Sequence, residues 1–378
     1  MTGAPLEGLK VIELARILAG PWAGQTLADL GAEVIKIESP QGDDTRGWGP
    51  PFVTHEDETS AAYFHACNRG KKSVVVDFKD PQALQYLKDL IATADVVIEN
   101  YKVGGLEKFG LDYDAIKVLN PKLVYCSITG FGQTGPYAKR AGYDFLLQGM
   151  SGLMSITGEP DQQPQKVGVA VTDIFTGLYS VIAIQAALTQ RALSGVGQHI
   201  DMSLFDVATA VTANQAMNYL ATDIAPMRKG NAHPNIVPYQ VFETSDSFVI
   251  IAVGNDGQFA KFCKILGCAP LADDPEYATN AARVVNRDAL TALLNPLVIR
   301  YRKLDLLAQC DAVGVPAGPI NTMDEVFDDP QIKHRAMVMD LNGVPSVRLP
   351  VNFSGCDLGG HKASPKLGEN TGDYFKEK

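Results

Sequence analysis

The sequence predicts an α/β protein made of a large Rossmann-like domain and a smaller α+β domain. Three observations carry this expectation. Through residues 1–205, short β-branched runs alternate with amphipathic helical stretches, the rhythm of a parallel sheet with crossover helices. From about Asp206 the rhythm gives way to a helical passage and then resumes in a different order. A chain of 378 residues with 46% hydrophobic and 20% charged content is long and apolar enough for two cored domains. The expected segments are 1–205 for the N-terminal part of the large domain, 206–228 for a helical linker and 229–305 for the small domain. A second linker at 306–330 and a C-terminal part at 331–378 follow.

Taken in order, Lys10 to Leu14 reads as a strand, Pro21 to Leu30 as a helix closed by Gly31, and Glu33 to Ile37 as the next strand. Strand, loop, helix and strand in so short a span form the βαβ unit of a parallel sheet. Ser73 to Val76 is a β-branched run, Asp80-Pro81 caps and starts a helix with Leu84, Leu87, Leu90 and Ile91 on one face, and Val96 to Glu99 is a strand. Leu123 to Ile128 continues the series. The passage VATAVTANQAMNYLAT after Asp206 is helical. In the smaller domain, Gln240 to Thr244 and Phe248 to Val253 read as strands turned at Ser245-Asp246, with helices around Gln258 to Leu266 and Arg283 to Arg302. Met337 to Leu341 and Ser346 to Pro350 close the chain as strands.

Composition narrows the function. A formal charge of -10 without a Lys/Arg-rich run argues against a general nucleic-acid or anionic-membrane binder, so an anionic ligand must be met by local groups. No charged leader precedes a long apolar segment, and no eighteen apolar residues run uninterrupted; the expectation is a cytoplasmic protein. The six cysteines form no CxxC and the histidines no HExxH, so neither a disulfide framework nor a protein-held metal is expected. The first strand is not followed by GxGxxG, which removes the best sign of a nicotinamide cofactor.

The chemistry is placed in VGVAVTDIFTGLYSVIAIQAALTQR, residues 167–191. After Asp173, apolar residues recur at helical spacing, so the carboxylate sits at a helix N-terminus among Val169, Val171, Ile174 and Phe175. Backbone N–H groups and the positive end of the dipole favour its ionised form while apolar neighbours strip its water, which suits a nucleophile; the plain alternative is a helix cap. In a doubly wound sheet the ligand lies beyond the carboxyl ends of the strands. Arg16 in ELARILAGP, Asn68 to Lys71 in NRGK, and Asn100 with Tyr101 in ENY stand at such ends and together resemble the lining of one crevice. Gly130 to Pro136 after the Leu123 to Ile128 strand is either an anion-binding loop or a turn.

The ordered segments PLEGLKVIEL, LAGPWAGQTLADLGAEVIKIE, GDDTRGWGPPF, NRGKKSVVVD, DVVIENY, NPKLVYCSITGFGQTGP, RAGYDFLLQGMSGLMSITG, VGVAVTDIFTGLYS, GVGQHIDMSLFD, HPNIVPYQVF, IAVGNDGQF and KLGENT resemble the class III CoA-transferase family, which also contains α-methylacyl-CoA racemases. The resemblance implies that the last segment completes the large domain and that two ring-shaped chains thread through each other as an interlocked homodimer. It implies coenzyme A as an acyl-CoA co-substrate, free carboxylic acids as partners, and no metal, nicotinamide or flavin. By motif matching, Asp173 looks like the family's nucleophile, and Leu18, Ala19, Asn68, Arg69, Gly70, Lys71, Asn100, Tyr101, Lys102, Lys108, Gly142, Tyr143 and Asp144 look like its CoA-binding positions. Ser39 and Lys108 stand where many members carry Arg, and a Lys holds a phosphate as a point charge without Arg's bidentate fork.

The family mechanism then implies attack of Asp173 on the thioester, a mixed anhydride, and an aspartyl-CoA thioester. The alternative on the same fold is a racemase, which needs a two-base pair. Racemases of the family tend to carry Gly-His-Asp where this chain has Gly142-Tyr143-Asp144, and a phenol with a reference pKa of about 10 is a poor base at neutral pH. GDDTRGWGPPF, SITGFGQTGP, VTDIFTGLY and HPNIVPYQVF look especially like succinate/hydroxymethylglutarate CoA-transferases, so a dicarboxylate substrate is expected. Its distal carboxylate needs a cation, with Arg16, Arg46, Arg140 and His233 as candidates.

Overall fold

A computed structural model describes residues 3–358 and 362–375; residues 359–361 and 376–378 of the expected C-terminal part lie outside the described residues. The chain forms two compact units. The first takes Met1–Leu153, Lys166–Asp223 and Pro330–Lys378, and the second takes Met154–Gln165 and Ile224–Asp329. Two boundaries differ from the expectation. The helical passage after Asp206 belongs to the first unit as far as Asp223, and a short excursion from the 1–205 stretch belongs to the second.

The first unit is built on a parallel sheet of six strands: β1 (Lys10–Glu13), β2 (Glu33–Glu38), β5 (Lys72–Val75), β6 (Val96–Glu99), β7 (Val124–Thr129) and β8 (His199–Ser203). A hairpin of β3 (Phe52–His55) and β4 (Glu58–Ala61) interrupts the series. The spatial order is β5-β2-β1-β6-β7-β8, so the chain builds outward from β1 in one direction and then returns to build in the other. The reversal falls between β1 and β6. At that point connections leave to opposite sides, which opens a crevice past the strand ends. Val11, Ile35, Val97 and Val124 are fully or almost fully buried, as expected of strands covered on both faces.

Helices α1 (Ala19–Asp29), α2 (Ala62–His65), α3 (Pro81–Ala92), α4 (Tyr113–Leu119), α5 (Asp144–Met150), α6 (Val171–Ser194), α7 (Leu204–Ala210) and α8 (Ala213–Thr222) accompany the sheet. Asp80 caps α3 by accepting from Gln82 N–H, with Pro81 in the first turn. The long α6 packs on α1 because Gly177 carries no side chain. A Cβ there would lie 2.7 Å from the Ala19 carbonyl oxygen. The edge strand β5 is sealed by the C-terminal segment. Asn370 N–H donates to Ser73 O and its Oδ1 accepts from Ser73 N–H, while Thr371 Oγ1 accepts from Val75 N–H. These bonds occupy an otherwise open row of strand donors and acceptors.

The second unit has a three-stranded antiparallel sheet of β9 (Tyr239–Glu243), β10 (Phe248–Ala252) and β11 (Ala317–Pro319). It is covered by α9 (Asp256–Ile265), α10 (Asn280–Val285), α11 (Arg287–Val298) and α12 (Lys303–Val313) around a core of Phe242, Phe259, Phe262 and Leu290. The single helix expected from Arg283 to Arg302 is broken at Asn286, whose side chain donates to the Glu276 and Ala282 carbonyls and competes with continued helix. β12 (Val338–Leu341) and β13 (Val344–Val347) form a separate hairpin in the first unit.

Candidate active site

A cavity of about 410 Å³ lies past the carboxyl ends of β1, β6 and β7, at the sheet's reversal. Its floor is the segment after β1, from Arg16 to Ala19. Two devices fix that segment. Asn100, at the end of β6, accepts from Arg16 N–H at 2.9 Å and donates to Arg16 O at 2.6 Å. Ile17 is held at φ 74, a left-handed conformation that a β-branched residue adopts only under constraint. The constraint is Asp43, whose carboxylate accepts from Ile17 N–H.

Asp43 is fixed in turn by a buried charge cluster. The fully buried Lys36 ammonium lies 3.1 Å from Glu13 and 2.9 Å from Asp43, and donates to Ala15 O. Lys71 completes the cluster 2.8 Å from Glu13, donating also to Pro21 O and Asn68 Oδ1. Burial pulls the Lys36 ammonium down, but Glu13, Asp43 and Glu38 outweigh it and the net shift is upward. Lys71 goes the other way, because burial exceeds what Glu13 returns. Together these pairs tie the ends of β1 and β2 to the start of α1.

Asp173 lies on the cavity wall, in the first turn of α6. It is not the cap. Ala170 occupies the N-cap, and the N-terminal Thr172 N–H is met at 2.9 Å by Asp144 Oδ1, reaching across from α5. Gln148, fully buried, donates to Asp144 Oδ2 and accepts from Val167 N–H, so residues 144–148 set where α6 begins. Burial, reinforced by the Asp144 charge, pushes the Asp173 carboxyl up to about 7. The sequence reading expected it to stay ionised; instead both forms are populated near neutral pH. The physical reason is burial first and then the charge of the neighbouring Asp144 carboxylate, which together outweigh the helix start.

Of the positions matched to CoA binding, Leu18, Ala19, Asn100, Tyr101, Lys102, Gly142 and Tyr143 line this cavity together with Asp173. Gly142 is required by a close approach, since a Cβ on it would sit 2.5 Å from Gly130 Cα. The others are engaged elsewhere. Asn68 and Lys71 belong to the buried cluster, Arg69 forms a two-pronged pair with Asp29 at 2.9 and 2.5 Å, and Gly70 N–H donates to Lys362 O. Asp144 is the carboxylate that accepts from Thr172 N–H. Lys108 lies over the Phe109 ring, outside the lining.

The four cations considered for a distal carboxylate also separate. Arg140 lines the cavity with its guanidinium over the Tyr137 and Phe131 rings. Arg16 lines it too, with its guanidinium 3.0 Å from Asp44. Arg46 is withdrawn: it is bidentate to Glu38 and paired with Glu58. His233 belongs to the second unit, where burial and then the Arg287 charge hold it below its ordinary value, making it a neutral imidazole rather than a cation. The Gly130 to Pro136 loop is a turn whose anion is the chain's own, as Gln133 N–H donates to the Asp201 carboxylate.

Sequence reasoning missed two groups here. Tyr63 is half-buried and feels the Asp173 and Asp144 charges; burial first, then those charges, push its phenol up to about 12, so it stays a hydroxyl. Beneath an adjoining cavity of about 230 Å³, Glu99 accepts from Tyr101 N–H and bonds Ser127, whose Oγ is 2.9 Å from His199 Nε2. Burial pushes Glu99 up to about 7, and this chain fixes the Tyr101 backbone at the cavity wall. Among the described residues no group of His, Cys, Asp and Glu is arranged to hold a metal ion.

A family model described as CoA-transferase family III matches residues 6–371. The chain is 58% identical over 381 residues to a succinate–glutarate CoA-transferase of Agrobacterium fabrum (strain C58), covering 99% of this chain and 95% of that protein. It is 45% identical to a succinyl-CoA:glutarate CoA-transferase of Mus musculus, covering 99% and 86%. A crystal structure of a CAIB/BAIF family protein from Brucella suis, 62% identical, superimposes with a TM-score of 0.90 over 98% of each chain. With a six-stranded parallel sheet, a crevice at its reversal and a match over nearly its whole length, the chain belongs to CoA-transferase family III and is a class III CoA-transferase.

Proposed function

We propose that the enzyme moves CoA from an acyl-CoA to a free dicarboxylic acid, succinate or a glutarate derivative, with Asp173 as the covalent nucleophile, and that it works as a cytoplasmic homodimer of interlocked chains. The observation that carries the reading is a desolvated carboxylate on the wall of the strand-end cavity. In its ionised form an Asp173 oxygen attacks the thioester carbonyl and the C–S bond breaks, giving a mixed anhydride and CoA thiolate. The thiolate attacks the Asp173 carbonyl carbon, the anhydride C–O bond breaks, and the donor acid leaves as its carboxylate. An acceptor carboxylate then attacks the aspartyl thioester, and the same two steps in reverse return the Asp173 carboxylate and a new acyl-CoA. The Tyr63 hydroxyl, close enough to feel the Asp173 charge, is the donor assigned to a developing oxyanion.

The names of the relatives from Agrobacterium fabrum and Mus musculus support a dicarboxylate, and Arg140 and Arg16 supply cations on the cavity wall. The dimer is supported by large apolar side chains left exposed on one copy, Ile182 and Leu193 on α6 and Met217 and Leu220 on α8. Hydroxylamine added during turnover traps an acylated carboxylate as a hydroxamate. The expected result is a hydroxamate at Asp173, with exchange onto succinate or glutarate exceeding that onto butyrate. Equal turnover of butyrate, or a full-rate Asp173→Asn enzyme without an adduct, overturns the reading.

A further inference from the structure

The second unit contains a cavity of about 440 Å³ that no part of the mechanism above uses. That volume falls in the range of small-molecule pockets, roughly 300–1,000 Å³. Helix α11 lines it with Arg287, Asp288, Thr291 and Asn295, and the 228–232 loop with Arg228 and Lys229. Arg287 is the unusual member. Its Nη2 donates to Pro234 O at 2.8 Å, but its Nη1 is buried and has no acceptor. A guanidinium N–H withdrawn from water without a partner is costly, which leaves Arg287 with unused donor capacity beside the cavity. Arg228 is a fixed cation on the loop, its guanidinium donating to the carbonyls of Glu159, Pro160 and Gln162. The other charged and titratable groups are Asp288, which also lines the cavity, Glu159, whose carboxylate packs against Gly230 of the loop, and His233, held below its ordinary value. The lining also includes the short apolar side chains of Ala232 and Ala292.

We propose that this cavity binds the free short-chain dicarboxylate, one carboxylate accepting from Arg287 and the other facing Arg228 and Lys229, with the methylene chain between them. Cations from two separate elements, with small apolar side chains in the same lining, match an anion charged at both ends, and a monocarboxylate satisfies only one of them. The inference rests on the reading of the acid as a dicarboxylate, and it makes Arg287 a determinant of which acid the protein holds.

The test is calorimetric titration of full-length Asp173→Ala protein, which cannot turn over, with glutarate, butyrate or inorganic phosphate, repeated with Arg287→Gln or Lys229→Gln added. Glutarate is expected to bind at least about tenfold more tightly than butyrate or phosphate. Arg287→Gln should weaken glutarate binding by about tenfold or more, as loss of a charge-assisted bond does, and Lys229→Gln by less. If Arg287→Gln does not fold, protection of Arg287 from phenylglyoxal by glutarate, read by peptide mass, reports the same contact. Unchanged glutarate binding in both variants, equal binding of phosphate, or absence of protection overturns the proposal. Exchange by the unaltered enzyme is measured alongside. Exchange with glutarate binding indifferent to Arg287 removes this site and keeps the transferase reading; Arg287-dependent binding without exchange does the reverse.

Discussion

Replacing Asp173 by Asn should make the protein more stable at alkaline pH while abolishing exchange. The carboxyl rises from an ordinary 3.8 to about 7 on folding. Because the folded value lies above the unfolded one, the folded state holds its proton more tightly, and stability falls as pH rises from about 4 through about 7. At about 1.36 kcal/mol per pH unit the full interval corresponds to ~4 kcal/mol above pH 7. Asp173 is half-buried rather than sealed, so solvent takes up part of this and ~2 kcal/mol is the working figure. Asn preserves the shape and removes both the desolvated charge and its repulsion with Asp144. Urea denaturation of both proteins at pH 5 and pH 8, at one protomer concentration, reads the effect. The stability gain of the variant over the parent should be larger at pH 8 by about 1–2 kcal/mol. A gain independent of pH, or a variant less stable at pH 8, would refute the argument that the Asp173 carboxyl is kept at a cost to the fold.

Formation of the proposed aspartyl adduct in a single turnover should rise about tenfold per pH unit below about pH 7 and level off above it, since only the deprotonated carboxyl can attack; quench-flow with peptide mass detection checks this, and a flat profile from pH 5 to 8 counts against it. Lys36→Met leaves Glu13 and Asp43 buried without their shared cation and should cost about 3–5 kcal/mol in urea unfolding. Gly177→Val places a Cβ 2.7 Å from the Ala19 carbonyl, prising α1 from α6; a loss of about 1–3 kcal/mol and a fall in exchange rate are expected, the latter because Leu18 and Ala19 line the cavity. Sedimentation at nanomolar concentration should show dimer and no folded monomer.

The sheet was largely legible in the sequence because its inner strands are covered on both faces and read as β-branched runs, KVIE, EVIKIE and VVIE among them. β8 was not, since an edge strand written HIDMS mixes charge with apolar residues and resembles a connection. The β3–β4 hairpin was hidden likewise by Glu56, Asp57 and Glu58 at its turn. At the site, Asp173, Arg16 and Asn100 could be picked out from their places at helix start and strand ends. Lys71 and Arg69 share that placement and are buried instead, because their partners Glu13 and Asp29 lie 58 and 40 positions away and spacing along the chain does not disclose a long-range ion pair. Arg287 carried no local signal at all. One arginine at a helix start is ordinary, and only the orphaned Nη1 beside a cavity sets it apart.

The sealing of β5 by Asn370 and Thr371 has a consequence for synthesis. The bonded residues Ser73 and Asn370 are 297 positions apart. At ribosomal rates of about 5–20 residues per second, the nascent chain carries β5 as an uncovered sheet edge for roughly 15–60 seconds before its cover emerges. A chain cut short before Gly368 never receives it. Such fragments, rather than full-length protein, are the species that should pair edge to edge and fall out of solution in the cell.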